Sequence, residues 1–341
     1  MQQIDSSMVE SSTDRMVVIG AVVIGRNEGE RLRACLSSLA GASTVVYVDS
    51  GSTDGSVQLA RARGIEVVEL DLSIPFTAAR ARNAGFRRLR QIRPDVAVVQ
   101  FVDGDCELDP SWCAMAAEFL SNRPDVAAVC GHLRERYPDQ SVYNWMCQRE
   151  WDRPTGEIRA CAGNVMMRVA ALAEVGGYRE DVIAAEEDEL CVRLRAAKWR
   201  IWRLADEMAV HDAAMLHFRQ WWTRSVRAGY AFAQGAWLHG RPPERHFSWE
   251  RRRTLIWGIA IPLAWLIGVA LIGSFGNIVL LIYPAQFLRL TLLGTGPLSE
   301  NLILAFFQLL SRFPEAVGQL RFLRDLVWRR APTIIEHKVS V

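Results

Sequence analysis

The sequence predicts an α/β fold, a mostly parallel sheet with flanking helices, followed by an apolar α-helical C-terminal region. Three observations carry that expectation. Short apolar runs recur through the first part of the chain, each ending in a polar turn and followed by a helical pattern, the way parallel βαβ units read. One run, Val98-Val99-Gln100-Phe101-Val102-Asp103-Gly104-Asp105-Cys106, ends in two carboxylates. From Thr254 to Leu293 the only formal charge is Arg289, so that stretch suits a bilayer better than water.

Met16 to Ile24 lacks polar alternation and reads as a strand buried on both faces. Gly25-Arg26-Asn27-Glu28 follows, then a helical pattern from Glu30 to Leu39. Val45 to Val48 forms a second strand that runs into Asp49-Ser50-Gly51-Ser52-Thr53-Asp54-Gly55. Thr53 or Asp54 can cap the next helix, Gly64 ends it, and Ile65 to Leu70 supplies a third strand. Thr77 begins a basic helix carrying Arg80, Arg82, Arg87, Arg88 and Arg90, which leads by way of Pro94 into the strand with the aspartates. Side chains alternate along an extended chain, so Asp103 and Asp105 are expected on one side of it. At the carboxyl edge of an open α/β sheet such a pair can hold a divalent ion, and through it a diphosphate. Asp109-Pro110-Ser111 then starts a helix, with Pro110 expected at the first helical position.

Five segments in this order resemble family 2 glycosyltransferases of the GT-A fold: Gly25-Arg26-Asn27-Glu28, Asp49 to Gly55, Arg82-Asn83-Ala84-Gly85, Asp103-Gly104-Asp105 and Glu186-Glu187-Asp188-Glu189-Leu190. The likeness spans residues 16–235. That fold is Rossmann-like, a mostly parallel sheet with flanking helices. The resemblance implies transfer of a sugar from a nucleotide-diphosphate sugar, a UDP- or GDP-sugar, to an acceptor hydroxyl with inversion at the anomeric carbon. It also implies a divalent cation, Mg²⁺ or Mn²⁺, held by Asp105 with Asp103 contacting metal or ribose.

Each position carries a chemical reading beside a plainer one. Asp49 can accept a hydrogen bond from a uracil or guanine ring N–H, or it can form the Asp-Ser-Gly turn. Arg26, Asn27 and Glu28 border the same pocket, with Glu28 the ribose or base contact, or they are a polar helix start. Arg82 offers a planar fork of donors for phosphate oxygens, whereas the other arginines of its helix read as a solvated face. Gly163, in Cys161 to Arg168, lets backbone approach the donor sugar closely. Aligning Glu189-Leu190-Cys191-Val192-Arg193-Leu194 with the family pattern Glu-Asp-x-Asp-Leu-x-x-Arg-Leu places the catalytic base at Glu187, glutamate for aspartate, with Asp188 second. Successive helical side chains lie about 100° apart, so the four acids cannot all face one cleft. Acids at a helix N-terminus are also favoured by its dipole.

His211, His217, Arg219, Trp221, Trp222, Arg224 and Arg227 crowd a short stretch. Trp222 and Arg224 can cover the diphosphate or shape the acceptor mouth, or the tryptophans belong to a helix packed on the domain or lying at a bilayer surface. The histidines lack a compact metal-ligand pattern.

A chain of 341 residues, half of them hydrophobic, holds one large α/β domain and an appendage. A net charge of +2 with dispersed arginines gives no nucleic-acid stripe. Seven scattered cysteines without Cys-x-x-Cys indicate neither a disulfide framework nor structural zinc, and they suit a reducing cytosol. The expected organisation is a loose polar tail over residues 1–15, the glycosyltransferase domain over 16–240 and a membrane-associated helical region over 241–341. Residues 255–272 and 278–293 flank Gly273 to Asn277 and read as a membrane hairpin, or as helices dipping into one leaflet. Arg251-Arg252-Arg253 and later basic residues put both flanks on the cytoplasmic face of the plasma membrane. Residues 313–330 recur at helical spacing with cationic flanks, so they lie along an anionic membrane surface or dock on the protein. The segment Ile334 to Lys338 is similar to tails of membrane-associated family 2 enzymes. An acceptor glycan, polyprenyl-linked in exopolysaccharide or glycolipid synthesis, and membrane lipids are the partners this implies. A sugar nucleotidyltransferase is the first rival, but it requires a Gly-rich triphosphate loop that residues 25–29 do not supply. A non-catalytic scaffold is the second, and retention of the acidic motifs argues against it.

Overall fold

The computed structural model describes residues 17–330 together with Thr333 and Ile335. The expected N-terminal tail, and the C-terminal segment Ile334 to Lys338 apart from Ile335, lie outside the described residues.

The first half follows the expected order: β1 (Ile19–Gly25), α1 (Gly29–Ser38), β2 (Thr44–Asp49), α2 (Ser56–Ala62), β3 (Glu66–Glu69), α3 (Ala78–Ile92) and β4 (Val98–Asp103). β1 pairs in parallel with β2 and β4, and β2 with β3. Val22, Val23, Val46, Val48, Val99 and Phe101 are fully buried, as near-continuous apolar strands covered on both faces should be. The hydroxyl of Thr77 accepts from the Arg80 amide at 3.1 Å and caps α3. A Cβ on Gly85 would sit 2.4 Å from Cγ1 of Val22, so α3 lies directly on the sheet there.

Two expected helix starts are displaced. The N-cap of α2 is Gly55, at φ +87°, while the Asp54 carboxylate accepts from the Ser56 amide at 3.0 Å. Pro110 sits in a turn ahead of α4 (Trp112–Asn122), because the Asp109 carboxylate takes the Ser111 amide and delays the helix.

Beyond β4 come β5 (Cys106–Leu108), α4, β6 (Val126–Glu135), α5 (Val142–Trp151), β7 (Gly156–Ile158), β8 (Val165–Arg168), α6 (Val169–Glu174), α7 (Glu186–Ala196) and β9 (Arg200–His211). Among the described residues nine strands make one sheet, in the order β3-β2-β1-β4-β8-β6-β9-β5, with β7 also on β9. β8 runs antiparallel to both β4 and β6, and β5 and β7 run antiparallel to β9. The sheet is therefore parallel where the βαβ units are and mixed beyond β4. The carboxyl ends of β1, β2 and β4 share one edge, where ligands collect in such folds.

α8 (Phe218–His239) follows, then α9 (Ser248–Leu255), a π-helical turn at Ile256–Ala260, α10 (Ile261–Ile272), a 3₁₀ stretch at Gly273–Leu281 and α11 (Ile282–Leu293). The π turn precedes Pro262, whose missing N–H breaks the regular ladder. This helical run is long and apolar enough to cross a membrane, and only 6% of its most apolar window is buried. It is not straight. Gly273, at φ +59°, reverses the chain, and Gly276 then packs against the Gly268 backbone so closely that a Cβ would lie 2.3 Å from the Gly268 carbonyl carbon. Trp265 donates its indole N–H to Asn277 at 2.9 Å, and the Tyr283 hydroxyl donates to the Trp257 carbonyl at 2.5 Å. These contacts make two antiparallel arms.

α12 (Leu298–Leu310) leads to α13 (Arg312–Val327). One face of α13 docks on α8 while Val317, Leu320, Leu323 and Leu326 remain exposed. The docking is backbone to backbone: a Cβ on Gly229 would lie 2.0 Å from the Glu315 carbonyl oxygen, and one on Gly318 equally close to that of Val226. Gly229→Ala should therefore push α13 off α8 and cost about 1–3 kcal/mol, the scale of an overpacked contact. A lower melting temperature in thermal denaturation is the expected result, and an unchanged one would contradict this packing.

Candidate active site

A cleft of about 800 Å³ opens along the carboxyl edge of β1 and β4 and reaches α7 and the start of α8. At its floor lies Arg82, placed by α3, with a side chain only 3% exposed. Its Nη2 donates to Asp103 Oδ1 at 2.9 Å. Its Nη1 lies 2.8 Å from Glu186 Oε1 and 2.7 Å from Glu187 Oε1. Burial works against the guanidinium charge, but Glu187, Asp103 and Glu186 more than offset it and hold Arg82 firmly protonated. The resemblance led us to expect a phosphate contact from Arg82. The structure instead commits both Nη groups to carboxylates, because a buried guanidinium must be compensated.

Glu187 stands at the first turn of α7, after Ala185 in the left-handed region at φ +56°. Burial and the neighbouring Glu186 carboxylate push Glu187 up to about 8, against the pull of Arg82. Asp188 lies off the cleft wall and keeps partial solvent access. Its low-polarity surroundings and Glu186 raise it to about 7. Only Glu186 and Glu187 of the four acids line the cleft. Glu189 turns away to pair with Arg193 at 2.8 Å and His239 at 2.9 Å.

The aspartate pair is arranged differently from the expectation. β4 ends at Asp103 and Gly104-Asp105 form a turn, so strand alternation does not set their directions. Asp103 faces Arg82, whereas the buried Asp105 faces His211 at the end of β9, with Oδ2 3.3 Å from Nε2. Register does this: Cys106 pairs with His211 across β5 and β9, and the Asp212 amide donates to the Asp105 carbonyl at 3.1 Å. Asp105, Cys106 and His211 bring ligand atoms within 4.8 Å of one another. The histidines lack a compact ligand pattern along the sequence, yet the fold brings His211 into this cluster. No linear spacing signals it, since strand pairing alone joins the two segments.

This donor set fits a divalent cation. Asp105 offers carboxylate oxygen and His211 offers imidazole nitrogen, and His211 Nδ1 is buried without a hydrogen-bond partner, 3.7 Å from Glu135. A carboxylate behind a ligating imidazole is a common outer-shell arrangement. Cys106 is the weak member: burial and Asp103 raise its thiol well above its usual value, leaving it neutral.

At the other end of the cleft the turns after β1 and β2 are tied together. The Asn27 amide, at φ +56°, donates to Ser52 Oγ at 2.9 Å, and its side-chain oxygen accepts from the Thr53 amide at 2.8 Å. Asp54 accepts from the Gly29 amide at 2.9 Å. Glu28 is nearly buried and pairs with Arg31 at 2.9 Å, and Arg26 lies 5.1 Å from the centroid of the Phe76 ring. Arg26, Asn27 and Glu28 all line the cleft, as do Asp103, Asp105, Gly163 and Arg224, the last paired with Glu150 at 2.8 Å.

Two expected donor contacts are not brought there. Asp49 is buried, and its own turn occupies it: the Gly51 and Ser52 amides donate to Oδ2 at 2.9 and 2.8 Å, and the Tyr47 and Ser52 hydroxyls to Oδ1. These are the contacts of the turn-forming reading of Asp49. Trp222 packs instead in a small apolar cluster with Trp221, Tyr143 and Phe307, outside the cleft wall. Glu186, His211, Phe76 and Gln220 line the cleft without having been singled out as site residues.

Gly163 closes over the charged cluster. A Cβ there would lie 2.3 Å from Arg82 Nη2, 2.9 Å from Asp103 Oδ2 and 3.1 Å from Glu187 Oε1. Gly163→Ala must displace at least one of these groups. Sugar transfer is expected to fall about tenfold or more, as a small misplacement of reacting groups costs, while far-UV circular dichroism stays unchanged. Full activity in that variant would contradict the arrangement.

Residues 21–174 match the model of "Glycosyl transferase family 2". Comparison of the sequence with curated proteins gives no significant match. Among solved structures, the mannosyltransferase PcManGT from Pyrobaculum calidifontis, in complex with GDP-Man and Mn²⁺, is similar with a TM-score of 0.57 at 17% identity, over 90% of this chain and 87% of that one. S. aureus TarS in complex with UDP follows at a TM-score of 0.48 and 15% identity, over 89% of this chain and 91% of that one, a likeness too weak to carry an argument. The family match over residues 21–174, on a βαβ sheet whose carboxyl edge carries the acidic cleft, gives this chain a glycosyltransferase family 2 region within a GT-A fold.

Proposed function

We propose that the protein is an inverting transferase that takes a sugar from a UDP- or GDP-sugar and passes it to the hydroxyl of a lipid-linked acceptor at the cytoplasmic face of the plasma membrane. The observation that carries this reading is the single guanidinium of Arg82, which binds Asp103 on one nitrogen and Glu187 on the other, two residues from Asp105. One side of the cleft thus receives the diphosphate and the other the acceptor proton.

Glu187 acts as the base. A sugar hydroxyl is a poor nucleophile until its proton is taken as it attacks, and a carboxyl lifted to about 8 is a far better acceptor than an ordinary one once ionised. Arg82 holds that carboxylate in place, so it is a positioning residue. Asp105 and His211 would hold a divalent cation, Mg²⁺ or Mn²⁺. A cation there offsets the charge that develops on the leaving nucleotide diphosphate. Arg26, Asn27 and Glu28 border the nucleoside, and Arg224 the diphosphate or acceptor side. The Mn²⁺ and GDP-Man of the Pyrobaculum mannosyltransferase complex support a metal and a nucleotide sugar in a fold of this kind.

The uncovered apolar arms of α10 and α11 support attachment to a bilayer. Arg251 to Arg253 and Arg312 flank them on one side, which suits a hairpin with both ends facing the cytoplasm. A membrane anchor beside the cleft suits an acceptor carried on a polyprenyl or other lipid, as in polysaccharide or glycolipid synthesis.

Calorimetric titration with GDP-mannose and UDP-sugars, with Mn²⁺ present or chelated, tests the metal assignment. Asp105→Ala and His211→Ala should each weaken Mn²⁺-dependent donor binding by about ten- to a hundredfold, the scale of one lost charged contact. Retained Mn²⁺-dependent affinity in both variants would place the metal elsewhere.

A further inference from the structure

A second cavity of about 280 Å³ lies far from the cleft in sequence, between α9, α11, α12 and α13. Trp249, Arg253, Trp257, Arg289, Leu290 and Arg312 are among its walls. Three arginines line it, and no acid does among the described residues. Arg312 is buried and shares Glu315 at 2.6 Å, but the Glu315 carboxylate also accepts from Thr254 at 2.6 Å and Ser311 at 2.9 Å. Burial, reinforced by Arg253 and only partly offset by Glu315 and Glu250, holds Arg312 below its usual value. Arg253 Nε is buried and has no hydrogen-bond partner. Arg289, exposed, reaches only Gln286 at 3.4 Å. Arg312 Nε donates to the Gln308 carbonyl at 3.0 Å, so the charge left without a carboxylate is that of Arg253 and Arg289.

Its place in the hairpin says what supplies the missing anion. Trp257 meets Tyr283 across the two arms, their rings 5.8 Å apart, so Arg289, further along the second arm, stands level with the Arg251 to Arg253 run at the base. Tryptophans and arginines at the end of an apolar hairpin occupy the headgroup layer of a bilayer, and basic pockets between such helices take lipid phosphates. The volume falls below the roughly 300–1,000 Å³ of sites that enclose a whole small molecule. A headgroup fits that volume, and Ile256 and Leu288, both exposed, lie on the side of it toward the hairpin tip, where lipid chains would run.

We propose that this pocket binds the phosphate of an anionic lipid, a phosphate ester on an apolar chain, through Arg253, Arg289 and Arg312. Its position at the headgroup layer rests on the membrane reading given above; the recognition of phosphate does not. A bilayer phospholipid and a polyprenyl phosphate carrier present the same chemistry.

Native mass spectrometry of the full-length protein in a neutral detergent separates these cases, using dihexanoyl phosphatidylglycerol, dihexanoyl phosphatidylcholine, a short polyprenyl phosphate and inorganic phosphate as probes. A single phosphatidylglycerol or polyprenyl phosphate should be retained, whichever is held tighter identifying the source, and neither phosphatidylcholine nor millimolar inorganic phosphate should displace it. The double variant Arg253→Gln/Arg289→Gln should weaken retention by about tenfold or more, as loss of charge-assisted contacts does. Arg251→Gln/Arg252→Gln removes equal charge from exposed positions of the same helix outside the pocket and should change little. Equal loss in both double variants, displacement by inorganic phosphate, or no retention of either anionic lipid would overturn the proposal. Flotation of the wild-type protein with pure phosphatidylcholine vesicles reports on the hairpin separately. If flotation fails while the short-chain anionic lipid is still retained, the membrane reading falls and the phosphate site stands.

Discussion

One buried cation organises the catalytic half of this molecule. Arg82 is brought by α3 to the point where β4 ends and α7 begins, and it satisfies acids from both. Neither side tolerates the loss of the other: removing one partner of a buried ion pair typically costs about 3–5 kcal/mol because an uncompensated charge is left behind. The neighbouring sequence exists to make that position reachable. Gly85 lets α3 lie on β1, Asn83 fastens α3 to Tyr178 and Glu180 through its side-chain amide, and Gly163 leaves room for the cluster itself. With two carboxylates forced onto one side of one guanidinium, Glu186 and Glu187 cannot both be comfortable as anions. Burial, with that repulsion added to it, raises the affinity of Glu187 for a proton.

A second constraint ties the far end of the cleft. The turns after β1 and β2 hold each other through Asn27, Ser52, Thr53, Asp54 and Gly29, so this end of the cleft is prearranged by short polar contacts between two loops. The C-terminal region is joined to this body by α8 and α13, whose glycines allow backbone contact, and not by a large apolar core. Its own apolar residues stay on the outside, on the hairpin arms and along one edge of α13. That combination, a small tight junction and a large uncovered apolar surface, is the feature on which the proposed attachment to a bilayer rests.

Local signals predicted local structure well. The apolar runs of β1 to β4, the Thr77 cap and the start of the acidic helix are all set by residues a few positions apart, and they appear close to where the sequence puts them. The chain reversal near Gly273 was legible for the same reason. What escaped depends on pairing between distant segments. His211 reaches Asp105 only because β9 lies beside β5, and the opposite direction of β8 leaves no mark in its four residues. Remote partners left no local mark: nothing near Arg82 in the sequence announces the two acids that α7 supplies, whereas the turn that fills both oxygens of Asp49 is made by residues within three positions of it. Trp222 shows the same limit, since a tryptophan beside arginines reads alike whether it faces a ligand or packs in an apolar cluster beside Phe218.

The most direct test is the pH profile of kcat/KM for sugar transfer at saturating metal. The proposed base must be ionised to accept the acceptor proton, and its free-enzyme carboxyl lies near 8, so activity should rise with pH through that value. Glu186→Gln removes the neighbouring carboxylate that raises Glu187, so the rising limb should move to lower pH. Glu187→Gln should abolish the limb and lower turnover about 10²–10⁴-fold while donor affinity stays near wild type, with Asp188→Asn much milder. A limb that stays put in Glu186→Gln, together with near-normal turnover in Glu187→Gln, would contradict the account.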